Sequence, residues 1–230
     1  LELLLNSRNR LLSRISHELR TPVNAVHGML HTIDVAVPEG NAKEKLAIAK
    51  ANARRLIRLI NDITDFNQVN HEELTLYTSP FSLSSVMSGI LLHYRQPFKE
   101  KGIRLEHTFK ISEDSVNGDE IRLRQIFTNL LDNALKFTPE GGEVTVKLES
   151  DANHVEVIIK DSGPGIKKDN QALIFERYRQ TKAGQEKEGV GLGLAIVKKI
   201  MEIHDSSIQV FSKPNEGTSF SFSLPVYPVG

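Results

Sequence analysis

The chain has 230 residues, of which 39% are hydrophobic, so it is long enough for one large or two ordinary domains with buried cores. Its 29 basic and 29 acidic residues cancel, so no global basic field attracts nucleic acid or an anionic membrane, and neither partner is expected. The absence of cysteine excludes disulfides, thiol nucleophiles and cysteine-ligated zinc, and it fits a reducing compartment such as the cytoplasm.

No segment has the pattern of a membrane span or a signal peptide. The longest apolar runs are only a few residues, whereas a transmembrane helix needs about 20. We therefore expect no direct membrane contact from this fragment. The opening stretch LELLLNSRNRLL resembles part of a longer helix, so the cytoplasmic part of a membrane-anchored protein fits as well as a free cytoplasmic protein.

Two long amphipathic helices are predicted at the start of the chain. Apolar residues recur at helical spacing from Leu4 to about Val37, and the pattern resumes from Ala42 to Phe66 after the break VPEGN. Two such helices joined by a Pro-Gly turn form an antiparallel hairpin with an uncovered apolar face. A dimer that forms a four-helix bundle would cover that face, and packing on the rest of the same chain is the alternative.

The pattern changes near residue 76, which divides the chain into predicted domains 1–76 and 77–230. The second domain contains these predicted elements: helix 83–100, strand 103–110, helix 119–137, the strand pair EVTVKLES and HVEVIIKD, a helix after Val190, and the strand pair IQVFS and TSFSFSLP. Helices mixed with antiparallel hairpins indicate a two-layer α+β sandwich and not a parallel doubly wound sheet.

One face of the predicted helix 119–137 is polar. The spacing of Asn129, Asn133 and Lys136 places them on the same side of the helix. Amide oxygens suit a hard cation such as Mg²⁺, and a lysine suits a phosphate oxygen or a nucleobase edge. An ordinary exposed polar face explains this stretch equally well.

The stretch IIKDSGPGI places a carboxylate at the end of a buried strand. Gly163 and Gly165 permit a tight turn directly after Asp161, and a flat ring could approach the backbone there. The carboxylate could accept hydrogen bonds from an amine such as N6 of adenine. A plain Asx turn is the alternative.

The stretch GVGLGLAIVKKI places Gly189, Gly191 and Gly193 directly before an apolar helix. Backbone N–H groups at a helix N-terminus can bind phosphate. The pattern lacks the βαβ context of a dinucleotide fold and the lysine and Ser/Thr of a P-loop. The polar segment 179–189 before it is either a flap over a nucleotide or a long loop.

His17 lies in SHELRTP on the first predicted helix and, taken alone, is most simply a solvated imidazole. However, the stretches SHELRTP, NLLDNALKFT, DSGPGI, IFERY and GVGLGLAIVK, in this order and with these gaps, resemble the H, N, G1, F and G2 boxes of sensor histidine kinases of two-component signalling. The resemblance covers nearly the whole chain. It implies a dimerisation and phosphotransfer hairpin followed by an ATP-binding domain with the fold of the gyrase, Hsp90 and MutL ATPases.

The resemblance implies catalytic roles in the first domain. His17 would be the phosphoacceptor that attacks the γ-phosphate of ATP, and Glu18 would orient or deprotonate its other ring nitrogen. Glu18 and Thr21 also match the E-x-x-T spacing that the family associates with positioning a hydrolytic water. Thr21 alternatively caps or packs at the bend that Pro22 introduces.

The resemblance also implies a nucleotide site in the second domain. Asn133 would coordinate Mg²⁺, Asn129 would support the phosphates with Lys136 nearby, and Asp161 would read adenine. The remaining residues would shape the pocket and its lid: Gly163, Gly165, Gly189, Gly191 and Gly193, with Phe175 and Tyr178 at the base of the lid.

Members of the family usually pass the phosphoryl group to an aspartate of a response regulator, and many also remove it. The implied cofactors are ATP and Mg²⁺. The implied partners are a second copy of the chain, which gives a homodimer, and the receiver domain of a response regulator.

The sequence departs from the family pattern at two places. The stretch IHDSS has Asp205 and Ser206 where the family often has two glycines, and Val190 stands where Thr or Ser is common. Because aspartate tolerates a left-handed backbone better than most residues, we expect the fold to survive the first change.

Other functions explain less of the chain. An ATP-binding regulatory module without its own phosphotransfer has no need for the complete set His17, Asn133 and Asp161. A clamp ATPase of this fold needs a glutamate in the N-box helix, where Asp132 and Glu120 are the nearest carboxylates. A dimerisation coiled coil accounts for residues 1–70 alone.

Overall fold

The structure is a computed structural model of the chain. It describes residues 23–24, 26–28, 30, 43, 45–50, 52–53, 56–57, 60, 76–176, 179 and 191–228. The chain divides into two compact units, Leu1–Leu74 with Glu188–Leu192 and Thr75–Lys187 with Gly193–Gly230.

The described residues of the first unit between positions 23 and 60 are helical, in agreement with the two predicted helices. Leu46, Ala53 and Ile60 recur every seven residues and are buried on one side of the second helical stretch. Ile48 and Leu56 are exposed on the same stretch. The VPEGN turn of the predicted hairpin lies outside the described residues.

The second unit contains the helices and strands predicted for it. In chain order these are β1 Ser79–Ser82, α1 Leu83–Glu100, β2 Arg104–Lys110, β3 Ser115–Gly118, α2 Glu120–Phe137, β4 Glu143–Ser150, β5 His154–Asp161, α3 Lys168–Gln171, a 3₁₀ turn Leu173–Phe175, α4 Gly193–Ile203, β6 Ile208–Lys213 and β7 Gly217–Pro225. The short strands β1 and β3, which form a separate antiparallel pair, were not predicted.

The main sheet has five strands in the order β2-β4-β5-β7-β6. β2 and β4 are parallel, and every other neighbouring pair is antiparallel. Alternate residues of the three central strands are buried: Val144, Val146, Leu148, Val155, Val157, Ile159, Phe220, Phe222 and Leu224. The sheet is therefore mixed and mainly antiparallel, as the sequence predicted.

Helices α1, α2 and α4 cover the buried face of this sheet with their apolar sides. Phe127 of α2 stacks on Phe222 of β7 with ring centroids 6.0 Å apart. Full burial of each large side chain in this layer contributes roughly 1.5–3 kcal/mol. One layer of helices on one sheet is the two-layer α+β sandwich that the pattern predicted.

The start of α2 is fixed by a side-chain cap. Asp119 accepts hydrogen bonds from the backbone N–H groups of Arg122, at 3.2 Å, and of Tyr77, at 3.3 Å. His204, which follows α4, accepts a hydrogen bond from the Asp119 N–H through Nε2 at 3.2 Å. These contacts set where α2, the helix with the polar face, begins.

The backbone at Asp205 is left-handed, with φ of 52°. It ends the turn after α4 at the position where the family often has glycine. The left-handed turn is thus kept with aspartate in place of glycine, and the expectation that the fold survives this change is confirmed.

Candidate active site

The Asp161 carboxylate lies at the end of β5, inside the two-layer sandwich. The residue is 8% exposed, and its Oδ1 accepts a hydrogen bond from the Gly163 N–H at 2.8 Å. Burial raises the pKa of this carboxyl, while hydrogen bonds from the backbone N–H groups of Gly163 and Thr218 act in the opposite direction. The result is a hydrogen-bond acceptor held away from solvent.

The turn after Asp161 has no room for side chains at two positions. A Cβ at Gly163 would lie 2.7 Å from Asp161 Oδ1 and 3.2 Å from the carbonyl oxygen of Phe137. Gly165 has φ of 68°, and a Cβ there would lie 1.9 Å from the carbonyl oxygen of Lys213. These glycines let the turn approach both the end of α2 and the β6–β7 hairpin.

Thr218 of β7 is the direct neighbour of Asp161 in the sheet and was missed in the sequence. The two residues are paired across β5 and β7, so their side chains point to the same face. Thr218 is also buried, and its hydroxyl lies 3.0 Å from Ser212 Oγ. The feature of the sequence that could have indicated Thr218 is its position directly after a glycine in the stretch GTSFSF.

Asn129, Asn133 and Lys136 are all partly buried along α2. Gly193, the first residue of α4, lies against Asn129, since a Cβ there would be 3.0 Å from Asn129 Oδ1. The amide therefore lies beside the N-terminus of an 11-residue helix. That arrangement brings an amide together with backbone N–H donors of the kind that bind phosphate.

The last turn of α2 is held by a lysine from outside the helix. Lys101 Nζ donates hydrogen bonds to the carbonyl oxygens of Leu135, of Lys136 at 3.1 Å and of Thr138 at 2.9 Å. Carbonyl groups in the last turn of a helix are not used by intrahelical hydrogen bonds, and a cation also suits the negative end of the helix dipole. The turn that carries Lys136 is thereby fixed next to the Asp161 turn.

The carboxylates of α2 are bound to other side chains. Asp132 Oδ1 accepts a hydrogen bond of 2.6 Å from the Tyr94 hydroxyl of α1, and burial together with the Asp132 charge raises the pKa of Tyr94. Glu120 forms an ion pair with Arg124 at 2.8 Å.

Several predicted site residues contribute less to the described site or lie outside it. Phe175 packs edge-on against Phe220 of β7 with ring centroids 6.4 Å apart, and Gly191 has φ of 76°. The remaining predicted positions lie outside the described residues: His17, Glu18, Thr21, Tyr178 and Gly189.

The part of the chain that the structure describes contains neither a metal-binding cluster nor a membrane-spanning helix. No group of three or more His, Cys, Asp or Glu side chains there could hold a metal ion. None of the helices there combines the length and apolar character needed to cross a membrane.

Two protein-family models match the chain. The "His Kinase A (phospho-acceptor) domain" matches residues 7–72, and the "Histidine kinase-, DNA gyrase B-, and HSP90-like ATPase" matches residues 118–228. The chain belongs to the sensor histidine kinases. Within this histidine kinase the first model includes His17, and the second includes Asn129, Asn133 and Asp161.

Curated proteins that are similar in sequence to this chain are named as kinases. The adaptive-response sensory kinase SasA of Microcystis aeruginosa is 34% identical over 231 residues, which cover 97% of this chain and 60% of SasA. The signal transduction kinase BarA of Escherichia coli K12 is 33% identical over 94% of this chain and 24% of BarA. The chain thus spans about three fifths of the SasA relatives and less of BarA.

Solved histidine kinases have the same fold. Full-length ShkA, crystallised in complex with AMPPNP, is 28% identical with a TM-score of 0.79 over 96% of this chain and 47% of ShkA. The mycobacterial sensor histidine kinase MprB is 33% identical with a TM-score of 0.57 over 66% of this chain and 99% of that chain.

Proposed function

We propose that the chain is an ATP-dependent protein-histidine kinase in which residues 77–230 bind ATP and residues 1–76 carry the phosphoacceptor His17. The observation that carries the proposal is the occurrence of a phosphoacceptor match and an ATPase match in one chain. The AMPPNP complex of the relative ShkA supports ATP as the nucleotide.

In this proposal the base lies at the Asp161 turn. A buried carboxylate is an acceptor for the N6 amine of adenine, and Gly163 and Gly165 allow a ring to approach the backbone. The phosphates extend toward Asn129, Lys136 and the start of α4, where the approach of Gly193 to Asn129 supports a phosphate position.

The residues present fit a magnesium ion that accompanies the nucleotide. Asn133 would coordinate it through its amide oxygen, one helical turn from Asn129. When bound, Mg²⁺ neutralises charge on the phosphates.

The chain's own residues then carry the transfer. A ring nitrogen of His17 forms a bond to the γ-phosphorus while the bond from that phosphorus to the β,γ-bridging oxygen breaks, which releases ADP. Glu18 accepts the proton of the other ring nitrogen and so favours the attacking form of the imidazole.

The phosphorylated His17 would pass its phosphoryl group to an aspartate in the receiver domain of a response regulator. Glu18 and Thr21 would position a water for the reverse function, removal of phosphate from that regulator. LuxQ from Vibrio parahaemolyticus, which is 32% identical to this chain, is named a sensor kinase/phosphatase, and this name supports the second role. A cytoplasmic location fits the use of ATP.

The first unit would act as a homodimer. Val26, Ile48 and Leu56 are about half exposed although apolar, and a second copy of the hairpin could cover them. The mass of the purified chain by light scattering tests this part, and a monomer at micromolar concentration would contradict it.

The geometry at α2 disfavours a clamp ATPase. Such an enzyme needs a free carboxylate beside the phosphates to activate water. Asp132 is engaged by Tyr94, and Glu120 is paired with Arg124 at the other end of α2. A histidine kinase therefore accounts for more of these observations than a clamp ATPase does.

Incubation with γ-labelled ATP and Mg²⁺ tests the proposal. Wild-type chain should acquire an acid-labile, base-stable label, and His17→Gln should acquire none. His27→Gln is the matched control and should keep the label. Label that persists in His17→Gln would defeat the assignment, and nucleotide binding without label in the wild type would indicate a regulatory module.

Replacing the proposed metal ligand tests whether Asn133 belongs to the site. Asn133→Ala should lower the labelling rate by about 10²–10³-fold, the range seen when one charge-stabilising contact is removed. Asn153→Ala, an exposed asparagine before β5, should leave the rate unchanged. Equal rates in the two variants would remove Asn133 from the site.

A further inference from the structure

Three polar side chains lie side by side across three neighbouring strands. Asp161 of β5 is paired with Thr218 of β7, and Thr218 is paired with Ser212 of β6. Because paired residues in a sheet point to the same face, all three side chains face the helices. The proposed adenine acceptor is thus one end of a polar row.

Ser212 Oγ, at the other end of the row, has three hydrogen-bond partners. It lies 2.8 Å from the carbonyl oxygen of Gly217, 2.8 Å from the N–H of Ile166 and 3.0 Å from Thr218 Oγ1. A carbonyl oxygen can only accept, and an amide N–H can only donate. The single proton of Ser212 is therefore assigned to the Gly217 carbonyl, which is the shorter of the two contacts that could receive it.

This assignment determines the direction of the remaining bond. With its proton given to Gly217, Ser212 Oγ can only accept from Thr218, so the Thr218 hydroxyl donates toward Ser212. The Thr218 oxygen then presents only lone pairs to any other group. Next to it, the Asp161 carboxylate is also an acceptor.

We propose that Ser212 is a positioning residue for purine specificity, because it turns the Thr218 hydroxyl into an obligate acceptor beside Asp161. The inference rests on the proposed ATP site. A 6-amino purine donates hydrogen at this position, directly or through a water, whereas a 6-oxo purine presents an acceptor. Two acceptors side by side favour the 6-amino purine. They disfavour the 6-oxo purine, because its binding would leave buried acceptors without a donor, which costs free energy.

The test compares two nucleotides that differ only at purine position 6. Dissociation constants of ATP and ITP with Mg²⁺ are measured by calorimetry on the complete wild-type chain and on Ser212→Ala. In the variant, the Thr218 hydroxyl is free to rotate and donate to a 6-oxo group. The ratio of the ITP constant to the ATP constant should fall about tenfold, the effect of one hydrogen bond.

Three further variants separate specificity from stability. Ser212→Thr keeps the hydroxyl and should restore the wild-type ratio. Thr218→Val removes the acceptor without supplying a donor, so its ratio should lie between those of wild type and Ser212→Ala. Ser206→Ala removes a hydroxyl that donates to the Ser223 carbonyl at 2.7 Å outside the row, and it should leave the ratio unchanged.

The outcomes distinguish this inference from the proposed function. If Ser212→Ala weakens the binding of ATP and ITP equally, so that the ratio of their dissociation constants is unchanged, the substitution only loosens the fold and the inference is overturned. If Ser212→Ala does not fold, a changed ratio in Ser212→Thr or an unchanged one in Thr218→Val overturns it. If the wild-type chain binds neither ATP nor ITP, the proposed ATP site itself is wrong.

Discussion

Asp151 precedes β5 and Asp161 ends it, and the Oδ1 atom of each accepts a hydrogen bond from the backbone N–H two residues later. At Asp151 the donors are Asn153, at 2.7 Å, and His154, at 2.8 Å. The side chain is exposed, and these bonds lower the pKa of the carboxyl. At Asp161 burial outweighs the corresponding bond and raises the pKa.

The two ends of β5 thus have similar local structure and opposite electrostatics. The Asx turn expected as the alternative for the DSGPGI stretch is present, and the Asp161 carboxylate that closes it is also desolvated, which is the property that the proposed adenine contact needs. What distinguishes Asp161 from Asp151 is therefore its burial and not the turn in which it lies, and burial is the feature on which the proposed base contact depends.

The largest effect is expected from filling the turn beyond Asp161. Gly165→Ala should lower the free energy of unfolding by about 3 kcal/mol, because it adds a collision with the Lys213 carbonyl to an unfavourable φ. Gly141→Ala is the matched control, since Gly141 has φ of 77° but open space around its Cβ position. It should lower the free energy by only about 1 kcal/mol in urea denaturation. Similar values for both would mean that the close contact is unimportant.

The next effect tests the two aspartates directly. Asp161→Asn should weaken ATP binding by about 10–100-fold, because its amide N–H₂ faces the donor amine while the hydrogen bond to Gly163 can persist. Asp151→Asn should leave the dissociation constant unchanged by calorimetry. Comparable losses in the two variants would contradict the base site at the buried end of β5.

A pH series should sharpen the same contrast. The folded chain holds a proton on Asp161 more tightly than the unfolded chain does, so this group's contribution to stability falls as pH rises from the ordinary aspartate pKa through the raised one. The affinity for ATP should change in the opposite direction and rise with pH, because the ionised carboxylate is the stronger acceptor for the amine, whereas the protonated form also presents a donor to it. On acidification, the affinity for ATP should therefore begin to fall at a pH higher than the ordinary aspartate pKa, because the pKa of Asp161 is raised. Asp161→Asn should remove this dependence, and a profile unchanged by that substitution would refute the assignment.

The smallest effect concerns a buried polar group without a partner. The Thr138 hydroxyl, at the end of α2, is fully buried and has no hydrogen-bond partner among the residues that the structure describes. Thr138→Val should leave the free energy of unfolding unchanged or raise it by up to about 1 kcal/mol. Thr128→Val removes a hydroxyl that bonds to the Arg124 carbonyl at 3.1 Å and should lower it by about 1 kcal/mol. A marked loss of stability in Thr138→Val would imply a hidden partner.

Elements with strong periodicity could be predicted from the sequence almost residue by residue. The α1 bounds agree with the prediction, and α2 begins one residue later because Asp119 serves as its cap. The strands β1 and β3 were missed because SPFS and SVNG are short and have no clear alternation. Their stability comes from pairing with each other, and even the closest pair, Ser82 and Ser115, is separated by the 32 residues 83–114, so no local pattern reveals it.

The candidate site could be predicted only where its residues belong to local motifs. Asp161 and Gly163 lie within one short stretch, and Asn129 and Asn133 lie one helical turn apart. Thr218 meets Asp161 through the register of β5 and β7, and that register depends on the whole sheet. The roles of His17 and the other site residues remain proposals.

The polar row has a consequence for the order of folding. Its residues come from β5, β6 and β7, and β5 is separated from the other two by residues 162–207, which include α4. Pairing over such a sequence distance forms late, since the entropy of closing the loop opposes it. A nascent or truncated chain that ends before β7 therefore carries Asp161 and its glycines without the acceptor pair, and selective nucleotide recognition would report that the last strand has joined the sheet.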